Sequence, residues 1–178
     1  MAFASQSPAT APEDRRSGCP SDMLDYTGRG DVNLKIYFAG SIRAGRDDAS
    51  VYETMITWLR SFGEVLAEHV GDPALSEMGN DGPNDRYIHD RDMAWLSACD
   101  LVVAEVTTPS LGVGYELGWA TVLSKPILCL HRTISGRPLS AMIAGSPGIQ
   151  RAAYSSLDEA KTIMEEFIGK IIEGSRRG

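Results

Sequence analysis

Apolar residues recur along this chain in two alternating rhythms: short continuous runs, and stretches at helical spacing. Asn33–Ala39 (NLKIYFA) is short, apolar and closed by Gly40, which predicts a buried strand. From Ala49, the apolar positions Val51, Met55, Trp58, Leu59 and Phe62 predict a helix, with Gly63 as its stop. Glu64–His69 reads as a second strand, and Asp72–Asn84 (DPALSEMGNDGPN) as a Gly/Pro/Asn loop. A helix is predicted over Asp85–Cys99, followed by the clearest strand, Asp100–Val106 (DLVVAEV). A Pro/Ser/Gly loop then leads into a helix predicted over Gly114–Leu123. Pro126–Leu130 and Arg151–Tyr154 complete the strands, and Leu157–Ile172 is a closing helix.

Alternating strands and helices with continuous apolar strands imply βαβ units, hence an α/β sheet of five parallel strands covered on both faces. In such sheets, ligands sit at the carboxyl ends of the strands where strand order reverses. The loops after the first and third strands are therefore the places to search. Residues 1–31 are rich in Ala, Ser, Pro, Gly and charge, and are expected to form a disordered tail. The folded domain is expected over 32–173, with 174–178 as a frayed end.

Composition narrows the function. The net charge is −7 and the pI about 4.9, which argues against a nucleic-acid polymer but not against one small phosphate. Cys19, Cys99 and Cys129 are far apart and unpatterned, as are His69, His89 and His131. Neither a disulfide framework nor a metal site is expected, and no cofactor is indicated. No apolar run approaches the roughly 20 residues of a membrane span. A location in the cytosol, or also in the nucleus, is the expectation.

The first strand-end loop, Gly40-Ser41-Ile42-Arg43-Ala44-Gly45-Arg46, combines small residues with a hydroxyl and two arginines. Its backbone N–H groups, with Ser41 and Arg43, suit a phosphate; an ordinary polar turn explains the same residues. The second loop carries Ser110, Gly112 and Gly114 and then Glu116, which is expected in the first turn of its helix. There the helix dipole would keep the carboxylate ionised, as a nucleophile requires. Asp92 shares a helical stripe with Ile88, Trp95, Leu96 and Cys99, so it faces inward, and Arg91 is expected to point elsewhere. An inward carboxylate is either paired or functional. Glu105 reads as a structural hydrogen-bonding group, Tyr37 as a core aromatic or as a hydroxyl that orients Glu116, and Ser140 as a helix cap. Trp58, Trp95 and Trp119 occupy core or interface positions, and His69 a packing role. Two carboxylates in one cleft are the minimum set for cutting a glycosidic bond.

The strings Ile36–Arg43 (IYFAGSIR), Ala104–Thr107 (AEVT), Pro109–Gly118 (PSLGVGYELG) and Leu139–Ile143 (LSAMI) resemble the 2′-deoxynucleoside 5′-phosphate N-hydrolases of the nucleoside 2-deoxyribosyltransferase superfamily. The likeness runs from about Leu34 to Ile143. It implies a flavodoxin-like three-layer sandwich and a homodimer with shared active sites. It assigns Glu116 as the nucleophile of a covalent glycosyl intermediate. Asp92 becomes the group that protonates the departing base or activates water, and Tyr37 the residue that positions the nucleophile. Gly40, Ser41, Ile42, Arg43, Ser110 and Gly112 match the 5′-phosphate site, to which the partner subunit gives Ser140 and Met142. The implied substrates are deoxynucleoside 5′-monophosphates, 5-hydroxymethyl-dUMP in the animal members, and the implied role is cleaning of the nucleotide pool. Thr108 stands where glutamine is usual, and the Asp72–Asn84 loop differs, so base preference is left open. Two rivals remain: a transferase that passes the sugar to another base, and a catalytically idle nucleotide-binding module.

Overall fold

Five short apolar segments pair side by side in the computed structural model, which describes residues 33–42, 48–71, 84–133, 136 and 138–177. They are β1 (Leu34–Ala39), β2 (Gly63–Leu66), β3 (Leu101–Glu105), β4 (Ile127–Arg132) and β5 (Gln150–Tyr154). All neighbours are parallel, in the order β2-β1-β3-β4-β5. Every residue of β3 is buried, as expected of a central strand covered on both faces. The helices are α1 (Ala49–Leu59), α2 (Asp85–Ala98), α3 (Leu111–Val122), the short α4 (Ala141–Ala144) and α5 (Leu157–Ser175). α1 packs with α5, and α2 with α3, which gives the two outer layers of an α/β sandwich. No helix among the described residues is long and apolar enough to cross a membrane.

Local chemistry fixes the helix ends. Asn84 caps α2 by accepting from the Tyr87 N–H at 2.9 Å, and Ser156 caps α5 by accepting from the Glu159 N–H at 3.2 Å. At the other end of α2, the Lys125 ammonium donates to the carbonyls of Ser97 and Cys99, which the helix leaves unpaired. The amphipathic face of α5 buries Ala160, Met164, Phe167, Ile168 and Ile172 against the sheet. α2 differs: Leu96 is its one fully buried residue among those described, so most of the helix forms a wall rather than core.

The element boundaries depart from expectation in five places. β2 ends at Leu66, because Ala67 turns to φ 61° and a 3-10 turn over Glu68–Gly71 follows; His69 is therefore not on a strand. Gly63 is not a helix stop but the first residue of β2, at φ 154°, where an added Cβ would lie 2.0 Å from the Leu34 carbonyl oxygen. α3 starts at Leu111 rather than Gly114, and β4 runs on to Arg132. α5 continues through Ser175, so the helix overruns the expected end of the domain. The 1–31 segment, Arg43 and most of the Asp72–Asn84 loop lie outside the described residues.

β1 and β3 are neighbours, yet the chain leaves β1 toward β2 on one side and reaches β3 on the other. The loops after β1 and β3 therefore diverge, opening a crevice at the carboxyl ends of the strands. α2 walls it on one side.

Candidate active site

The crevice is a cleft of about 680 Å³. Its floor and walls include Gly40 and Ile42 after β1, Asp92 and His89 on α2, and Ser110, Gly112 and Glu116 around the start of α3. Tyr37 lies beneath it, almost fully buried near the end of β1. The structure thus gathers the expected Glu116, Asp92 and Tyr37 in one place, with Gly40 and Ile42 of the expected phosphate loop beside them.

Glu116 lies in the second turn of α3, not the first, because Ser110 is the cap: its Oγ accepts from the Val113 N–H at 3.4 Å. The helix dipole fades within the first turn, so it does not set the state of this carboxyl. Burial does. Desolvation, and then the nearby charge of Asp92, push Glu116 from 4.5 up to about 7, while the hydrogen bond from the Tyr37 hydroxyl pulls the other way. Tyr37 in turn is held far above the ordinary phenol range by burial and by the charges of Glu116 and Asp92, so it remains a donor.

Asp92 is not unpaired. Arg91 folds back along α2, and both its Nε, at 2.9 Å, and its Nη2, at 2.8 Å, donate to Asp92 Oδ1. The expectation that Arg91 points away rested on Cα directions about 100° apart; three methylenes and a planar head span that gap. Arg91 also lies over the Trp95 ring, 4.6 Å from its centroid, and donates to His69 Nε2 at 3.3 Å.

The phosphate candidates divide. Ser41 is fully buried, and its hydroxyl Oγ has no hydrogen-bond partner among the described residues. An orphaned buried hydroxyl beside a cleft fits a ligand oxygen that completes it. Gly112 leaves open space, since a Cβ there would meet only Ser110 Oγ, at 3.7 Å. Ser140 and Met142 do not reach this cleft within one chain. They line a separate groove of about 550 Å³ on the other side of α3, with Pro109, Leu111 and His131. Ser140 stands at the N-cap of α4, as expected, although its side chain makes no capping bond.

Two features were not read from the sequence. His89 Nε2 and the Tyr115 hydroxyl share a hydrogen bond of 3.3 Å at the cleft mouth. Their positions next to Asp92 and Glu116 were the available signal. Asp48, just before α1, forms an ion pair with Arg132 and accepts from the Thr108 hydroxyl at 3.0 Å. Glu105 is fully buried, accepts from the Thr107 and Tyr154 hydroxyls and lies off the cleft, in keeping with a structural role; burial raises its carboxyl.

With this geometry in hand, comparison is informative. A family model described as nucleoside 2-deoxyribosyltransferase matches residues 36–166. A 5-hydroxymethyl-dUMP N-hydrolase from Danio rerio is 51% identical over 137 residues, covering 75% of this chain and 95% of that protein. One from Homo sapiens is 55% identical over 144 residues, covering 80% and 82%. The solution structure of BlsM has the same fold, with a TM-score of 0.62 at 18% identity over 82% of this chain and 96% of that one. The chain belongs to the nucleoside 2-deoxyribosyltransferase family.

Proposed function

We propose that this chain hydrolyses the N-glycosidic bond of 2′-deoxynucleoside 5′-monophosphates, giving free base and 2-deoxyribose 5-phosphate. The arrangement that carries the reading is the half-buried Glu116, bonded by Tyr37 and facing Asp92, in a cleft lined by Gly40 and Ile42, the two neighbours of the buried Ser41. The relatives named 5-hydroxymethyl-dUMP N-hydrolase support the reaction and point to that nucleotide as substrate.

In this reading the ionised Glu116 attacks C1′ and the C1′–N bond breaks, leaving a glycosyl ester on the enzyme. The base departs as its anion; the Asp92 carboxylate then takes a proton from the water that cleaves the ester and hands it to that anion. Tyr37 donates to Glu116 and so holds it in line for attack. Ser41, Ser110 and the backbone at Gly40, Ile42 and Gly112 receive the 5′-phosphate, with Arg43 as the charge partner in the same loop. Close packing of Glu116 against C2′ would exclude a ribonucleotide.

The active form is read as a homodimer. Leu111, Tyr115, Trp119 and Val122 run along the outer face of α3, and Met142 is 82% exposed beside them. Such a stripe suits a self-complementary contact that brings the partner's α4 segment, with Ser140 and Met142, toward the phosphate. Cys99 and Cys129 are buried free thiols, which suits the reducing cytosol or nucleus.

The deciding experiment incubates the protein with 5-hydroxymethyl-dUMP, dGMP, GMP and unphosphorylated deoxyguanosine, and measures free base by chromatography. Release from the deoxymonophosphates alone is expected, and Glu116→Gln should abolish it while retaining ligand binding. Equal turnover by that variant removes the nucleophile assignment. Release from the nucleoside, faster with an acceptor base, makes the chain a transferase, and no release at all leaves a binding module.

A further inference from the structure

We propose that Arg91 is a positioning residue: its guanidinium aims the Asp92 carboxylate into the cleft and offsets its charge beside Glu116. The proposal rests on the hydrolase reading above and adds a residue to it. Arg91 and Asp92 are each about 15% exposed, so their ion pair lies largely out of water, where a charge pair is screened little. Both donors, Nε and Nη2, converge on the one oxygen, Oδ1. Two charge-assisted contacts anchor that oxygen at the guanidinium.

Arg91 is itself held from two sides. The Trp95 ring lies beneath its guanidinium, and His69 Nε2 accepts from it, which requires the neutral ring protonated on Nδ1. The His69 and Trp95 rings also pack together, with centroids 5.8 Å apart. The three side chains come from the 3-10 turn and α2, so the support spans two elements. A surface arginine with no task does not acquire an aromatic floor and a second acceptor.

The electrostatic consequence follows from the groups around Glu116. From β1 it meets the Tyr37 hydroxyl; from α2 it meets Asp92 with Arg91 behind it; Asp85, His89 and Tyr115 line the same cleft. Asp92 is the charge that opposes ionisation of Glu116, and the influence of Arg91 extends as far as Tyr37. Removing Arg91 takes away its share of the compensation of the Asp92 charge, so Glu116 should hold its proton to higher pH. Fewer molecules then carry an ionised nucleophile at or below neutrality.

The test is the pH profile of kcat/KM on 5-hydroxymethyl-dUMP for the parent, Arg91→Gln and Arg91→Lys, with thermal melts to verify folding. Arg91→Gln should move the acid limb up by about one unit, a roughly tenfold loss at pH 6 that narrows sharply by pH 9. The loss should fall on kcat, with KM changed less than about threefold, because Arg91 is not among the phosphate-binding candidates. Arg91→Lys keeps the charge and should restore most of the limb position. An Arg91→Gln limb within about 0.2 unit of the parent's, or a loss equal at all pH values, overturns the proposal. Should Arg91→Gln melt early, an unshifted limb in Trp95→Leu, which removes the aromatic floor alone, overturns it equally. A parent that releases no base, or a Glu116→Gln variant as active as the parent, overturns the hydrolase reading and this proposal with it.

Discussion

A carboxyl group buried beside a second carboxylate keeps its proton to higher pH, and Glu116 titrates at about 7 instead of 4.5. Two consequences follow at this one residue. In the proposed reaction the carboxylate is the attacking form, so kcat/KM should fall as pH drops through about 7, and a profile flat from pH 5 to 8 would contradict that assignment. Stability should move oppositely. A carboxyl whose folded value is raised favours the native state below its unfolded value of 4.5, and that contribution is lost as pH rises through about 7. At pH 8 the ionised Glu116 therefore costs up to about 3 kcal/mol. Glu116→Gln should raise the melting temperature by several degrees at pH 8 and little at pH 4, as calorimetry will measure. Glu116, Asp92 and Tyr37 were legible in the sequence for a shared reason: each puts a polar group where an apolar stripe or strand predicts an apolar one. The Arg91–Asp92 pair was not legible, because side-chain reach is set by rotamers and by Trp95 and His69, not by helical spacing.

At the scale of elements, continuous apolar runs were the reliable signal. β1 and β3 are central, and their runs are so uniformly buried that no other placement satisfies them. The start of α3 was misplaced because Gly112 and Gly114 read as loop, each costing about 1 kcal/mol in a helix. The Ser110 cap and the burial of Val113, Leu117 and Ala120 outweigh that cost. The exit of the first loop was missed as well, since Asp48, Thr108 and Arg132 come together only through the sheet. That cluster ties the start of α1 to β4 and to the loop after β3. Asp48→Asn should weaken the tie and lower stability by about 1–3 kcal/mol, read from the denaturant midpoint. KM for the monophosphate should rise while kcat changes little. A kcat loss at constant KM would place Asp48 in the chemistry instead of in the loop's support.

For the whole molecule, periodicity predicts a covered parallel sheet but is silent on strand order, which depends on pairings far apart in sequence; the family likeness supplied it. The same limit applies to the surface. One chain leaves Leu111 97% exposed, with Tyr115, Trp119 and Val122 along the same helix and Met142 nearby. It also leaves Ser140 and Met142 outside the Glu116 cleft. A dimer through α3 accounts for both facts at once. Trp119→Glu places a charge in the middle of the stripe without touching the cleft lining. It should yield monomers in sedimentation equilibrium and reduce base release at least tenfold. Subunit exchange gives the sharper result. Glu116→Gln and Ser140→Ala chains should each be impaired alone, yet in a mixed dimer one site joins an intact Glu116 to an intact Ser140 from the other chain. Equal mixing makes half of the dimers mixed, each with one intact site, so about a quarter of the parental activity should return. If Ser140 serves its own chain's cleft, every site in the mixture carries a defect. Activity then stays at the average of the two variants, and the partner-donated phosphate contact is excluded.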